Sequence, residues 1–246
     1  MEDHENARNA SNESNPKQTN NSLSMSKQQT SIEQFFDSKE KATESSKESY
    51  RFYKLEMPQA EVLYYPSILS SEECSKSYTE LINLPYWIRP TFKIYGRPVL
   101  AHRLTCSFGS NPNKAYHYSG TLASADALEY PPSIKLIKEK LEFILNTDFN
   151  FVLLNWYKNG SDYIGEHSDD ERGLAPNGMI ASVSLGASRK FVFRNKLNKK
   201  NVQKLISQNG SLMIMKGTTQ KYWKHYIPKE KKITEGRISL TFRQLI

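Results

Sequence analysis

Three side chains in the second half of the chain have the types that hold a divalent metal. His167 and Asp169 stand two apart in His167-Ser168-Asp169. On an extended chain, residues i and i+2 project to one face, so imidazole and carboxylate converge on one ion. His225, in Trp223-Lys224-His225-Tyr226, supplies a third donor. Two histidines and one carboxylate leave three positions of a six-coordinate ion open, a donor set that suits Fe(II). His-x-Asp alone also describes a solvated loop pair. The chain has only five histidines; His4 lies in a polar tail, and His102 and His117 precede the core strands.

A second group of residues suits an anion. Arg237-Ile238-Ser239-Leu240-Thr241-Phe242-Arg243 alternates strictly, so Arg237, Ser239, Thr241 and Arg243 share one face of a strand. Two buried arginines on one face are costly unless they meet anions, and a dicarboxylate inside a barrel is such an anion. In Phe151–Tyr157 the same alternation puts Asn155 and Tyr157 on one face, as hydrogen-bond donors to a carboxylate.

These residues need a scaffold. Residues 70–83 read as a helix with Ser70 or Ser71 as cap and acids in the first turn. Residues 132–146 form a second, with Ile134, Ile137, Leu141 and Leu145 at helical spacing. After Asn150 the pattern turns strand-like in FNFVLLNWY, MIASVSLG, RKFVFRN, SLMIM and RISLTFRQL. Several short strands broken by Gly, Asn and Pro predict an antiparallel jelly-roll core, with both helices covering one sheet. The fold class is α+β.

His167-x-Asp169, His225 and Arg237-x5-Arg243 together resemble the signature of the AlkB family of Fe(II)- and 2-oxoglutarate-dependent dioxygenases, in particular its eukaryotic DNA-repair subfamily, AlkB homologue 2. The resemblance runs from about Tyr86 to the C-terminus. It is most specific in NWYKNGSDYIGEHSDDE (155–171) and IASVSLGA (180–187). It implies a double-stranded β-helix core, Fe(II) on His167, Asp169 and His225, and the cosubstrates 2-oxoglutarate and O2. It also implies 2-oxoglutarate held by Asn155, Tyr157, Arg237, Ser239, Thr241 and Arg243. Ser239 stands where the family usually has Asn, a shorter donor at one cosubstrate contact.

On the substrate side, the resemblance implies a finger at Ile94, Tyr95 and Gly96, with Tyr95 as the wedge that fills a duplex when a base leaves it, and adds Arg97 to the substrate-binding residues. The same alignment assigns Arg103 to the flipped-base site and Tyr116 and Tyr118 to the base pocket, and it places Asp170 and Glu171 near the base. His102 stands where the family tends to have Pro. The implied reaction is oxidative dealkylation of 1-methyladenine and 3-methylcytosine in double-stranded DNA. Tyr95 argues for duplex over RNA or single strands, and the complete triad argues against a catalytically silent clamp-binding adaptor. Two basic stretches, from Arg189 to Lys204 and from Lys221 to Lys232, are expected to form a phosphate-gripping rim.

Composition divides the chain of 246 residues in two. Its formal net charge is +8. Residues 1–50 hold 6 Lys+Arg against 9 Asp+Glu, and the remainder holds 28 against 17. The first segment is too polar to offset an ordering cost of about 1–2 kcal/mol per residue, so it is expected to be a disordered tail. Residues 51–246 then form the dioxygenase domain. Within the tail, Gln29, Ile32, Phe35 and Phe36 match Q-x-x-I-x-x-F-F, which resembles the PIP box that docks proteins on the sliding clamp PCNA. One helical turn gathers Ile32 and the aromatic pair into an apolar plug. No apolar run reaches the ~18 residues of a membrane span. The start is acidic and polar, unlike a signal peptide, and two cysteines point to a reducing compartment. A monomer in the nucleus is the expectation.

Overall fold

The computed structural model describes residues 50–94, 97–110, 116–118, 121–123, 129–170, 173–175 and 178–246. The clamp-docking string at 29–36, Tyr95, Gly96 and Glu171 lie outside these residues, and Tyr116 and Tyr118 are described by backbone alone.

The first half of the described chain runs β1 (Tyr53–Lys54), β2 (Glu61–Tyr65), α1 (Ser71–Ile82), β3 (Thr91–Ile94), β4 (Arg97–Leu100), β5 (Leu104–Gly109), β6 (Tyr116–Tyr118), β7 (Thr121–Ala123) and α2 (Pro132–Leu145). The second half runs β8 (Phe151–Tyr157), β9 (Ile164–His167), β10 (Ile180–Gly186), β11 (Arg189–Asn195), β12 (Val202–Ser207), β13 (Leu212–Lys216), α3 (Thr219–Tyr222), β14 (Trp223–Ile227) and β15 (Arg237–Arg243).

Both long helices form where the sequence predicts. Ser70 caps α1 through a capping box: its hydroxyl accepts from the Glu73 amide at 3.1 Å, and the Glu73 carboxylate accepts from the Ser70 amide at 2.7 Å. Glu73 also pairs with Lys140 at 2.7 Å, which ties α1 to α2. Pro132 opens α2, and Asn146, in the left-handed region at φ 51°, ends it.

Two antiparallel sheets face each other. Seven strands order as β1-β2-β13-β10-β15-β8-β5, and four as β12-β11-β14-β9. The hairpins β3–β4 and β6–β7 stand apart from both. The alternation of β15 divides the core. Ile238, Leu240 and Phe242 pack toward the helices with Leu81, Ile134, Ile137 and Leu141. The opposite face of the large sheet meets Phe191, Phe193, Trp223 and Ile227 of the small one. This is the jelly-roll arrangement, with both helices on one outer face.

The sequence signals named strands only after Asn150. Strands β1–β7 precede it, and β2 and β5 complete the larger sheet. Those signals also omit β12, β14 and β9. The four residues of β9, Ile-Gly-Glu-His, carry too little apolar character to read as a strand, and pairing with β14 is what defines it.

Candidate metal centre and cosubstrate cavity

Register brings the metal donors together. β14 pairs with β9 so that His225 lies directly opposite His167, their ring centroids 4.2 Å apart. Asp169 follows β9 by two residues and turns inward. One donor atom from each of His167, Asp169 and His225 lies within 4.8 Å of the others. The His167 Nδ1 lies 2.9 Å from the Gly165 carbonyl. As a donor there, Nδ1 carries the proton and leaves Nε2 free to bind an ion. Phe191 stacks on the His225 ring at 5.2 Å and 15°, which fixes that ring's plane.

Protonation suits a ligand set. Burial pushes the His225 imidazole down to about 3, and the neighbouring His167 adds to the fall. Burial likewise lowers His167. For Asp169 burial opposes ionisation, but the Arg243 guanidinium and the two imidazoles outweigh it and hold the carboxyl well below the usual carboxylate range. The site therefore presents two neutral imidazoles and one carboxylate at neutral pH. The Oδ1 of Asp169 is buried and has no hydrogen-bond partner among the described residues. A cation satisfies it.

The expected anion wall adjoins this cluster. Asn155, Tyr157, Ser239, Thr241 and Arg243 line the same cavity as His167, Asp169 and His225. The pairing of β8 with β15 sets Asn155 opposite Ser239 and Tyr157 opposite Arg237. Arg237 is fully buried, and its guanidinium carbon lies 5.5 Å from the centre of the Tyr157 ring. Its Nη2 donates to the Ser184 hydroxyl at 2.9 Å, while Nε and Nη1 have no partner among the described residues. Burial lowers Arg237 to about 10, so it stays charged at neutral pH. A buried cation with unsatisfied donors is what an anionic cosubstrate would neutralise.

A scan against family models matches the 2OG-Fe(II) oxygenase superfamily over residues 61–243. The chain is an AlkB-type member of that superfamily. It is 35% identical to "DNA oxidative demethylase ALKBH2" of Arabidopsis thaliana over 65% of its length, and spans 58% of that relative. To the Mus musculus protein of the same name it is 33% identical, covering 74% of this chain and 79% of the relative. The solved structure of OsALKBH1 aligns with a TM-score of 0.54 at 13% identity, covering 79% of this chain and all of that one, a likeness of fold. For an AlkB-type oxygenase, His167, Asp169 and His225 fit Fe(II), and the Arg237 wall fits 2-oxoglutarate.

The other expected substrate residues are placed as follows. Arg97 lies exposed on β4, and Asp170 is exposed beside the ligand loop, 3.3 Å from Lys196. Arg103 is buried, and its Nε donates to the Asn155 Oδ1 at 2.6 Å. Arg189 is no phosphate ligand. It is fully buried and donates to the carbonyls of Asn159, Asp162 and Pro228, and to Glu230. Lys199, Lys200, Lys204, Lys221 and Lys224 do face solvent.

Gln220 was missed from sequence. Its Oε1 accepts from the Asp169 amide at 2.9 Å, and its own carbonyl accepts from Lys196 at 2.7 Å. Ser168 donates to the Trp223 carbonyl at 3.0 Å. Helix α3 thus pins the loop that carries the carboxylate. A lone Gln in a polar stretch gives no signal of this.

Gln220→Ala should weaken metal binding about 10-fold or more, the usual effect of losing a partner behind a ligand, in a competition titration with a Zn(II) chelator. An unchanged affinity would remove Gln220 from that role. Acid should destabilise the metal-free protein. An unfolded histidine takes up a proton near pH 6.5, whereas folded His225 resists it down to about 3. The unfolded state binds more protons across that window, so stability falls as pH drops through it. From about pH 7.5 to about 5.5 this group alone removes on the order of 1 kcal/mol. Urea melts should show a shallower pH dependence in His225→Gln by that amount; equal slopes would refute the assignment.

Proposed function

We propose that the protein is an oxidative DNA dealkylase that repairs N-alkylated bases, 1-methyladenine and 3-methylcytosine, in double-stranded DNA, using Fe(II), 2-oxoglutarate and O2. The observation that carries this reading is the His167-Asp169-His225 cluster sharing one cavity with Asn155, Tyr157, Ser239, Thr241 and Arg243, with the unsatisfied Arg237 guanidinium against the Tyr157 ring, in a chain similar to DNA oxidative demethylases.

Each group of residues has a task. His167, Asp169 and His225 would hold the metal, and Arg237, Asn155, Tyr157, Ser239, Thr241 and Arg243 would hold and orient the 2-oxoglutarate. Bound Fe(II) would activate O2, which takes two electrons from the conversion of 2-oxoglutarate to succinate and CO2 and two from hydroxylation of an N-alkyl carbon. The hydroxylated carbon then leaves as an aldehyde and restores the base. The two facing sheets bury the donors and exclude bulk water, so that only an extruded base reaches the centre. Tyr95 is proposed as the wedge, Tyr116 and Tyr118 as the base pocket, and Asp170 and Glu171 as contacts near the base. Exposed lysines of β12 and β14 supply charge toward phosphates.

The tail string ending in Phe35-Phe36 would dock the protein on the sliding clamp PCNA, in the nucleus, with the enzyme acting as a monomer. This part of the proposal rests on the spacing of Gln29, Ile32, Phe35 and Phe36.

The purified chain with Fe(II), ascorbate and 2-oxoglutarate should release formaldehyde from duplex oligonucleotides bearing 1-methyladenine or 3-methylcytosine, and His225→Ala should not. Equal release from both proteins sinks the enzymatic reading, and preference for single strands or RNA sinks the duplex assignment. For the clamp, Phe35→Ala with Phe36→Ala should abolish capture by PCNA while leaving activity on free oligonucleotides intact. Retained capture would discard the docking string.

A further inference from the structure

Arg103 turns its side chain into the protein. It sits just before β5, is 3% exposed, and donates from Nε to the Oδ1 of Asn155 at 2.6 Å. Asn155 is itself buried, central in β8, paired with Thr105 on one side and Ser239 on the other, and lines the cavity beside the metal donors. The other side of the Arg103 guanidinium is covered by the Phe92 ring of β3, with the centroid 5.6 Å away.

A primary amide can face a neighbour by its oxygen or by its nitrogen, and the two orientations have opposite consequences at an anion. With the NH2 group directed at the carboxylate, the amide donates a hydrogen bond; with the carbonyl there, it repels. A guanidinium has five donors and no acceptor. Asn155 can therefore bond to Arg103 only through Oδ1, and its Nδ2 is left as the donor to the cavity. No other orientation of the amide satisfies that buried pair.

We propose that Arg103 is a positioning residue for the cosubstrate: it fixes the Asn155 amide so that Nδ2 donates to a carboxylate of 2-oxoglutarate. This rests on the cosubstrate reading above. Arg103 then acts through Asn155, and its effect vanishes when Asn155 cannot transmit it. Lysine, which also donates and cannot accept, preserves the orientation. Glutamine, which does both, no longer dictates it. Methionine abolishes it.

The test is equilibrium binding of 2-oxoglutarate to the full chain loaded with Zn(II), a redox-silent ion, by titration calorimetry. Arg103→Met should raise Kd about tenfold, the effect of losing one hydrogen bond to a charged group. Arg103→Lys should stay within about threefold of wild type, and Arg103→Gln should fall between them. In an Asn155→Ala background, Arg103→Met should add nothing, a coupling that a purely structural role would not produce. Equal effects of Arg103→Met in both backgrounds overturn the proposal. If Arg103→Met does not fold, a Gln variant that binds as tightly as the Lys variant overturns it instead. Failure of the wild-type protein to bind 2-oxoglutarate would overturn the cosubstrate reading itself, a separate outcome.

Discussion

A buried ion pair between two strands' ends holds the site together. The Nη2 of Arg243, at the end of β15, lies 2.9 Å from the Oδ2 of Asp169, on the loop after β9. The two residues belong to opposite walls of the sandwich, so the pair fastens the ligand loop of the small sheet to the large one. Both side chains are almost entirely buried. Charges taken from water at that depth cost several kcal/mol each, and their attraction offsets the cost only while both are present. One oxygen of the carboxylate is used in this way, and the other is left to the metal position.

The rest of the cavity follows the same electrostatic logic. Arg237 and Arg189 both lie near the Tyr157 ring, at 5.5 and 5.7 Å, and among the described residues only Arg189 of the two has a carboxylate beside it. Arg189 is therefore a structural cation that fastens the loops around 159–162 and 228–230. Arg237 is the cation with donors to spare. The small hydroxyls that line the cavity, Ser182, Ser239 and Thr241, leave room and hydrogen-bonding capacity where larger apolar residues would close the barrel.

Much of this was visible in the chain itself. The strict alternation of Arg237–Arg243 specified which side chains would share a face, because a strand has a period of two whatever its neighbours are. The candidate caps Ser70 and Ser71 with acids after them, and the apolar stripe of 132–146, marked both long helices by local rules. The short strands β9 and β14 were harder. Ile-Gly-Glu-His of β9 carries weak propensity and, among the described residues, pairs only with β14, which pairs in turn with β11.

The sequence by itself determined the donor types: two imidazoles, a carboxylate two residues from one of them, and a polar face bearing two arginines. These follow from residue identity and local geometry. Tertiary structure alone decided that His225 stands opposite His167, since register across distant strands is set by the packing of whole sheets. It also decided the roles of Arg103, Arg189 and Gln220, three polar residues of no distinctive local pattern. Each acquires its role from a partner far away in the chain, and only the fold brings that partner within hydrogen-bonding distance.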